Sequence, residues 1–176
     1  MRLLIGQALG FVAMAFCIGS YQIKSSRGLI LCKTAGDALY VIHYLLLGAY
    51  SGCATMVFCA LSGFLCSFKG SRRWADWKGW GVLFAALMVL AGASTVQSLE
   101  DVIPALFTVA SMVTVVLTTW SGNGQRIRLG KLLVAGPAWL VYCILVRSWS
   151  GILCEAIGMS SSAIAVYRYR QKEPKP

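Results

Sequence analysis

The sequence predicts an all-α integral membrane protein. Seven transmembrane helices are expected in a 3+1+3 arrangement, two parallel three-helix units joined by one crossing helix. Three observations carry this prediction. The 176 residues are 58% hydrophobic and only 12% charged, about half the charge that a soluble domain usually carries, and the mean hydropathy is +0.71. Seven apolar runs, each close to the roughly 17–25 residues that cross a bilayer core, follow one another between clusters of Lys and Arg. Helix ends, turns and basic exits also recur at an offset of 99 residues.

The first run, 3–23, follows Arg2; it is long for the apolar stretch of a secretory signal and is read as a helix of the mature chain. The second, 28–50, ends at Tyr50-Ser51-Gly52, a tight turn into the third, 51–68. A basic loop with Lys69, Arg72, Arg73 and Lys78 leads to the fourth, 80–96, and the acidic turn Glu100-Asp101 to the fifth, 102–120. Pro104 is expected in the first turn of that helix, where a proline forfeits no helical bond. The sixth run, 132–149, has Pro137 at its centre, a packing kink or a gating hinge. The seventh is 151–167. None of the runs alternates apolar with polar residues as barrel strands do, so helices are the reading.

Charge placement sets the expected orientation. With the N-terminus outside, Lys24, Arg27, Lys33, Lys69, Arg72, Arg73, Lys78, Arg126, Arg128, Lys131, Arg168, Arg170, Lys172 and Lys175 fall on the cytoplasmic side. That leaves Arg2 and Arg147 outside, with the Glu100-Asp101 turn. Basic residues concentrate on the cytoplasmic side of membrane proteins, so the net charge of +10 reflects topology and anionic lipid rather than nucleic acid.

At the offset of 99, Tyr21 meets Trp120, Arg27 meets Arg126, Tyr40 meets Trp139, and Tyr50-Ser51-Gly52 meets Trp149-Ser150-Gly151. The expected units are therefore residues 1–69 and 102–170, with 70–101 as a linker helix and its basic inner loop, and 171–176 as a cytoplasmic tail. An odd number of crossings in the linker is what makes the two units parallel, and in such repeats the binding site lies at the midplane between them.

Charged side chains at membrane depth cost about 2.5 kcal/mol or more, so they face a cavity, a partner or water. Asp37, His43 and Glu155 are the titratable candidates, and proton coupling is the role they could serve. His43 and Glu155 are at similar expected depths and could meet between the units, as an exchanging pair or as a static bond. Asp37 has Lys33 one turn earlier as a simple ionic partner. Tyr40 and Trp139 lie near span centres rather than in the interfacial belts. With Tyr44 and Tyr142 they form either a midplane pocket for a small polar solute or the packed core of the bundle. Gly6 and Gly10, and Gly48 and Gly52, are small residues four apart that permit close helix approach. The seven cysteines contain no CxxC pair and read as small apolar residues, with neither a metal site nor a disulfide framework implied.

The segment from His43 to Tyr50, HYLLLGAY, together with Glu155 thirteen residues before Arg168, resembles the YgjV family of bacterial inner-membrane proteins. That family and the 3+1+3 plan are in turn similar to the SWEET and PQ-loop transporters. Gly10 to Ala13, followed by Ser20 to Lys24, resembles their first-helix motif, with Gln22 present and its proline absent. The resemblance implies an inner-membrane location and a SWEET-like carrier fold. The asparagines that those transporters place in the third and seventh helices are missing, so a sugar substrate does not follow.

No GxSG, HExxH, phosphate-cradling loop, cofactor fingerprint or seventh-span lysine is present, so no enzyme activity and no cofactor are expected. Two functions remain. One is a small-solute transporter or facilitator working by alternating access at a midplane pocket lined by Tyr40, His43, Tyr44, Trp139, Tyr142 and Glu155. Its partners would be the bilayer and a small polar or sugar-like solute, with oligomerisation left open. The other is a non-transporting membrane scaffold.

Overall fold

A computed structural model describes residues 1–20, 26–77 and 79–172. Tyr21, Gln22, Lys24, Lys78 and the tail beyond Lys172, on which parts of the repeat, the motif and the charge pattern rest, lie outside the described residues. Among those described, the chain is helical throughout, in seven helices: α1 (Arg2–Ser20), α2 (Ser26–Leu47), α3 (Tyr50–Cys66), α4 (Gly79–Ser94), α5 (Leu99–Trp120), α6 (Gly124–Leu145) and α7 (Trp149–Lys172).

Four of them, α1, α5, α6 and α7, are both long and apolar enough to cross a membrane. The apolar helices α3 and α4 have 17 and 16 residues, about 25 Å of rise against a bilayer core of about 30 Å. α2 has 22 residues but includes Lys33 and Asp37.

Helix starts follow local chemistry. Asp101 accepts the backbone N–H of Ser98 and of Gln97 ahead of α5, at 2.9 and 3.1 Å, and Asn123 accepts those of Gln125 and Arg126 at the start of α6. Because Ser98 and Asp101 nucleate α5 early, Leu99 is its first residue and Pro104 lies inside the helix rather than in its first turn. The expectation for Pro104 is thus corrected: its missing N–H leaves the Glu100 carbonyl without the usual donor, at an exposed position. Pro137 is accommodated differently. The five residues before Gly136, Lys131–Ala135, form a π-helical turn in which the Gly136 N–H reaches back to the Lys131 carbonyl. On α5, Ser111 donates to the Ala135 carbonyl at 2.8 Å. Such widened turns are a recognised way for a helix to accommodate a break in its bonding.

Around the bundle α1 packs on α2, α2 on α3, α3 on α5, α5 on α6, α6 on α7, and α7 on α1, while α4 packs against α3 and α5. Glycines permit the close approaches. A Cβ on Gly10 would collide with Ser150 and the His43 ring, and one on Gly36 with Cys17 and the Ala13 carbonyl.

The distribution of side chains is inverted relative to a soluble domain. Among the described residues no Leu or Ile is buried; Leu90, Leu106, Leu133 and Val82 are all more than 60% exposed. Most buried positions are held by Ala, Cys, Ser, Thr, Gly and aromatics, including Ser20, Thr55, Ser62, Thr108, Ser111, Ser148 and Ser150, with Met56, Met88, Met112 and Val116 as the larger aliphatic side chains and Asp37 and Glu155 as the charged ones. Small residues and hydroxyls inside, with aliphatics outside, is how helices pack when the surrounding solvent is lipid.

At one end of the bundle, here the turn end, α2 passes to α3 and α6 to α7 through turns with the same hydrogen bonds. The Gly48 N–H reaches the Leu45 carbonyl at 3.2 Å and the Ala49 N–H the Tyr44 carbonyl at 2.9 Å; 99 residues on, Arg147 reaches Ile144 at 3.2 Å and Ser148 reaches Cys143 at 2.9 Å. Both turns place one residue in the left-handed region, Gly48 at φ 75° and Arg147 at φ 54°. Lys69, Arg72, Arg126 and Arg128 are exposed at the opposite, basic end.

Candidate functional site

Two layers of polar and aromatic groups occupy the bundle interior. The first lies just below the turn end. Tyr40, His43 and Tyr44 face inward from α2 because spacings of three and four residues share a helix face; Trp139 and Tyr142 do so from α6. Tyr44 stacks on Tyr40 with centroids 5.8 Å apart and meets the Trp139 ring edge-on at 5.5 Å and the Tyr142 ring at 5.7 Å. His43 meets Tyr44 edge-on at 4.8 Å. All five rings are between 0 and 5% exposed, so in this structure they fill the space that a pocket between Tyr40 and Trp139 would need.

The polar atoms of the histidine and the three tyrosines are all engaged. His43 Nδ1 lies 2.7 Å from the Gly6 carbonyl and Nε2 2.7 Å from Ser148 Oγ. A carbonyl only accepts, so Nδ1 carries the proton, and in the neutral ring Nε2 accepts from the Ser148 hydroxyl. Tyr142 Oη accepts the Gly52 N–H at 2.9 Å and donates to the Ala49 carbonyl at 3.2 Å. Tyr44 Oη is 3.4 Å from Cys143 Sγ, and Tyr40 donates to the Ser150 carbonyl at 3.4 Å.

These contacts cross. Tyr142 is 99 residues beyond His43, and Ser148 is 99 beyond Ala49. The side chain of α2 therefore bonds the turn after α6, while its counterpart on α6 bonds the turn after α2. Tyr44 and Cys143, the pair in mutual contact, are themselves 99 apart.

The second layer is charged; Asp37 and the lysines lie deeper than the rings, and Glu155 is level with the lower ones. Asp37 lies ten residues before the end of α2 and Glu155 six beyond the start of α7, about 15 and 9 Å from the turn end at 1.5 Å per residue. Lys33 Nζ binds Asp37 Oδ2 at 2.7 Å, and Cys17 Sγ is 3.9 Å from the other carboxylate oxygen. Lys131 Nζ binds both Glu155 oxygens, at 2.7 and 2.5 Å. The carboxylates are buried, with side chains 9 and 10% exposed, whereas the lysines keep 39 and 26% open.

His43 and Glu155, expected to meet, do not share a bond. His43 sits in the upper layer on Ser148 and Gly6, and Glu155 is taken by Lys131. Asp37 does find Lys33, the one-turn ionic partner that the spacing offers. Lys131 is the functional candidate that sequence reasoning missed, and Lys33 was placed too shallow. Both were grouped with the cytoplasmic loops, yet α6 starts at Gly124, so Lys131 is seven residues inside its helix, as Lys33 is inside α2. The signal was their position: each stands where a charge needs a partner, four residues before Asp37 in one case, and in the half of the chain that holds Glu155 in the other.

A bundle with lipid-compatible aliphatics outside and small, hydrogen-bonded polar groups inside defines a helical membrane protein. The family described as bacterial inner membrane protein, YgjV, matches residues 4–173, and this chain belongs to it. No curated protein and no solved structure matches the chain.

Proposed function

We propose that this protein is a small-solute carrier or facilitator working by alternating access. In this reading α1–α3 and α5–α7 are two parallel three-helix units of a SWEET-like 3+1+3 bundle. α4 is the connecting span, the turn end faces outward and the basic end faces the cytoplasm. The observation that carries the reading is the reciprocal crossing of His43 to Ser148 and of Tyr142 to Ala49. It ties each unit to the other's turn, as two parts that move against one another around an axis along the membrane normal would require.

The aromatic layer is then an outer gate in its closed position, and the solute site lies below it. Interhelical hydrogen bonds in bilayers average about 0.6 kcal/mol, so the three of His43 and Tyr142 that cross between the units, to Ser148, Gly52 and Ala49, sum to about 2 kcal/mol. That is within the few kcal/mol that separate interconverting states. The π-helical turn before Pro137 gives α6 a place to flex, which makes Pro137 the hinge. Asp37, His43 and Glu155 are the groups through which protons could couple to the motion.

A second reading, a non-transporting scaffold, is favoured by the burial of all five rings against one another. One experiment separates the two. Thr34, half-buried on α2 next to Lys33 with its hydroxyl against Gly63 of α3, is replaced by Cys in a chain whose seven native cysteines have been replaced, and is exposed to a membrane-impermeant maleimide from either side. The carrier predicts labelling from the cytoplasmic side only, and outside labelling once Tyr142→Phe and Ser148→Ala loosen the gate. A scaffold predicts no outside labelling in either background, and that result overturns the proposal.

A further inference from the structure

A cleft of about 460 Å³ opens at the basic end of the bundle, and none of its lining residues belongs to either interior layer. Gly81 near the start of α4 and Trp120 at the end of α5 are its buried part; a Cβ on Gly81 would press on the Trp120 side chain at 3.0 Å. The rest of the lining is of two kinds. Val82 and Leu117 are exposed on the aliphatic outer surface of the bundle, whereas Lys69, Asp76 and Trp77 come from the connection between α3 and α4. The cleft therefore joins the lipid-facing surface to the basic end, the level at which aromatic side chains collect in membrane proteins.

The polar side of the cleft is held in place. The Gly70 N–H donates to Asp76 Oδ1 at 2.8 Å and closes the connection, whose short 3-10 turn, Arg73–Asp76, buries Ala75 completely. Lys69 Nζ donates to the Trp120 carbonyl at 3.0 Å and lies 5.5 Å from the centre of the Trp120 ring. Trp80 donates its indole N–H to the Trp74 carbonyl at 2.8 Å and meets the Trp77 ring edge-on at 5.7 Å, yet Trp77 remains 58% exposed.

Both charges have bonding capacity to spare. An ammonium has three donors and a carboxylate two acceptor oxygens. Among the described residues Lys69 spends one donor, on the Trp120 carbonyl, and Asp76 uses one oxygen, on the Gly70 N–H. The ion pairs among those residues are Lys33 with Asp37 and Lys131 with Glu155, so Lys69 and Asp76 line one cleft without closing on each other.

Charge and surface together select the occupant. A headgroup that is only anionic satisfies Lys69 but faces the Asp76 carboxylate. A soluble zwitterion satisfies both charges and leaves the apolar wall uncovered. A phospholipid of the ethanolamine class meets every part of the lining. Its phosphate reaches Lys69, its ammonium reaches Asp76 and the exposed Trp77 ring, which attracts cations, and its acyl chains run on over Val82 and Leu117.

We infer that this cleft binds one phospholipid with an ethanolamine-type headgroup, in the leaflet at the basic end. The site is the same whether the bundle is a carrier or a scaffold.

The test titrates the purified full-length protein in detergent with phosphatidylethanolamine, phosphatidylglycerol or free phosphoethanolamine, and counts bound molecules by native mass spectrometry. The ethanolamine lipid should bind first, as a single molecule, and about fivefold more tightly than the glycerol lipid, the effect of one charge near a membrane surface. Free phosphoethanolamine should not be retained. Asp76→Asn keeps the oxygen that accepts from Gly70 and should erase the preference between the two lipids. Lys69→Gln should weaken both lipids by about fivefold, and Val82→Trp, which crowds the apolar wall from an exposed position, should weaken both as well. Arg126→Gln, at the same end but outside the cleft, should bind as the wild type does. Equal or tighter binding of phosphatidylglycerol, a preference that survives Asp76→Asn, equal losses from Lys69→Gln and Arg126→Gln, retention of free phosphoethanolamine, or no retained lipid overturns the site. If Lys69→Gln fails to fold, Asp76→Asn and Val82→Trp, both at exposed positions, still decide the matter.

Discussion

The two interior layers obey different rules. In the aromatic layer the turn bonds, the left-handed residue and the crossing contacts of His43 and Tyr142 have counterparts 99 residues away, and the paired glycines Gly52 and Gly151 each approach a tyrosine, at the Tyr142 ring and the Tyr44 hydroxyl. In the charged layer the lysines stand 98 rather than 99 residues apart, and their partners do not correspond at all. Asp37 lies on the same helix as Lys33, four residues on, whereas Glu155 belongs to the neighbouring helix. The layer that holds the two halves of the chain together keeps its symmetry, and the layer that meets charge has lost it.

The largest expected effect tests the charged layer. Glu155→Leu alone strands the Lys131 ammonium and should destabilise the fold by about 3–5 kcal/mol, whereas adding Lys131→Met should recover most of that loss. Asp37→Asn should cost less, because Lys33 is the more accessible ammonium. Denaturation in mixed micelles measures both, and equal losses at Asp37 and Glu155 would erase the asymmetry.

Next come the glycines of the aromatic layer. A Cβ on Gly52 would collide with the Tyr142 phenol, and one on Gly151 with Cys143, Ser148 and Tyr44. Gly52→Ala and Gly151→Ala should each cost about 1–3 kcal/mol. Melting temperatures that fall together support the correspondence, and a loss at only one of them breaks it.

The smallest effect concerns the turns. Gly48 adopts its positive φ freely, but Arg147 is held in the left-handed region at a cost of roughly 1 kcal/mol. Arg147→Gly should therefore raise stability by about that amount, and Gly48→Ala should lower it to a similar degree. No change at Arg147 would mean that its backbone carbonyl, which accepts from the Gln7 side chain at 2.8 Å, is the feature that sets the turn.

Much of this was legible in the sequence, for identifiable reasons. Apolar runs mark helices because a lipid-facing helix must be apolar over most of its length, and the 99-residue offset could be read because turn residues such as Ser51-Gly52 and Ser150-Gly151 are chemically constrained. Helix starts were less legible. α6 begins at Gly124, eight residues before the expected start, because Asn123 caps a basic, polar first turn that hydropathy does not register. The same mechanism moved Pro104 into the body of α5. Partners were the least legible part. Helical spacing places His43 and Glu155 at comparable depth, but depth does not say which neighbour lies alongside. A lysine's long stem let Lys131 reach Glu155 from a helix position that reads as a loop.

Among the described residues the absence of leucine and isoleucine from the buried positions has a consequence for cohesion. Their removal from water cannot be what holds the helices together, since the same side chains contact acyl tails whether the bundle is assembled or apart. The force comes instead from glycine-permitted contact at van der Waals distance and from hydroxyls that find carbonyls. Both act over a fraction of an ångström. Such a bundle tolerates exchange of its oily exterior far better than the addition of one methyl group within, as the collisions at Gly10, Gly36 and Gly52 show.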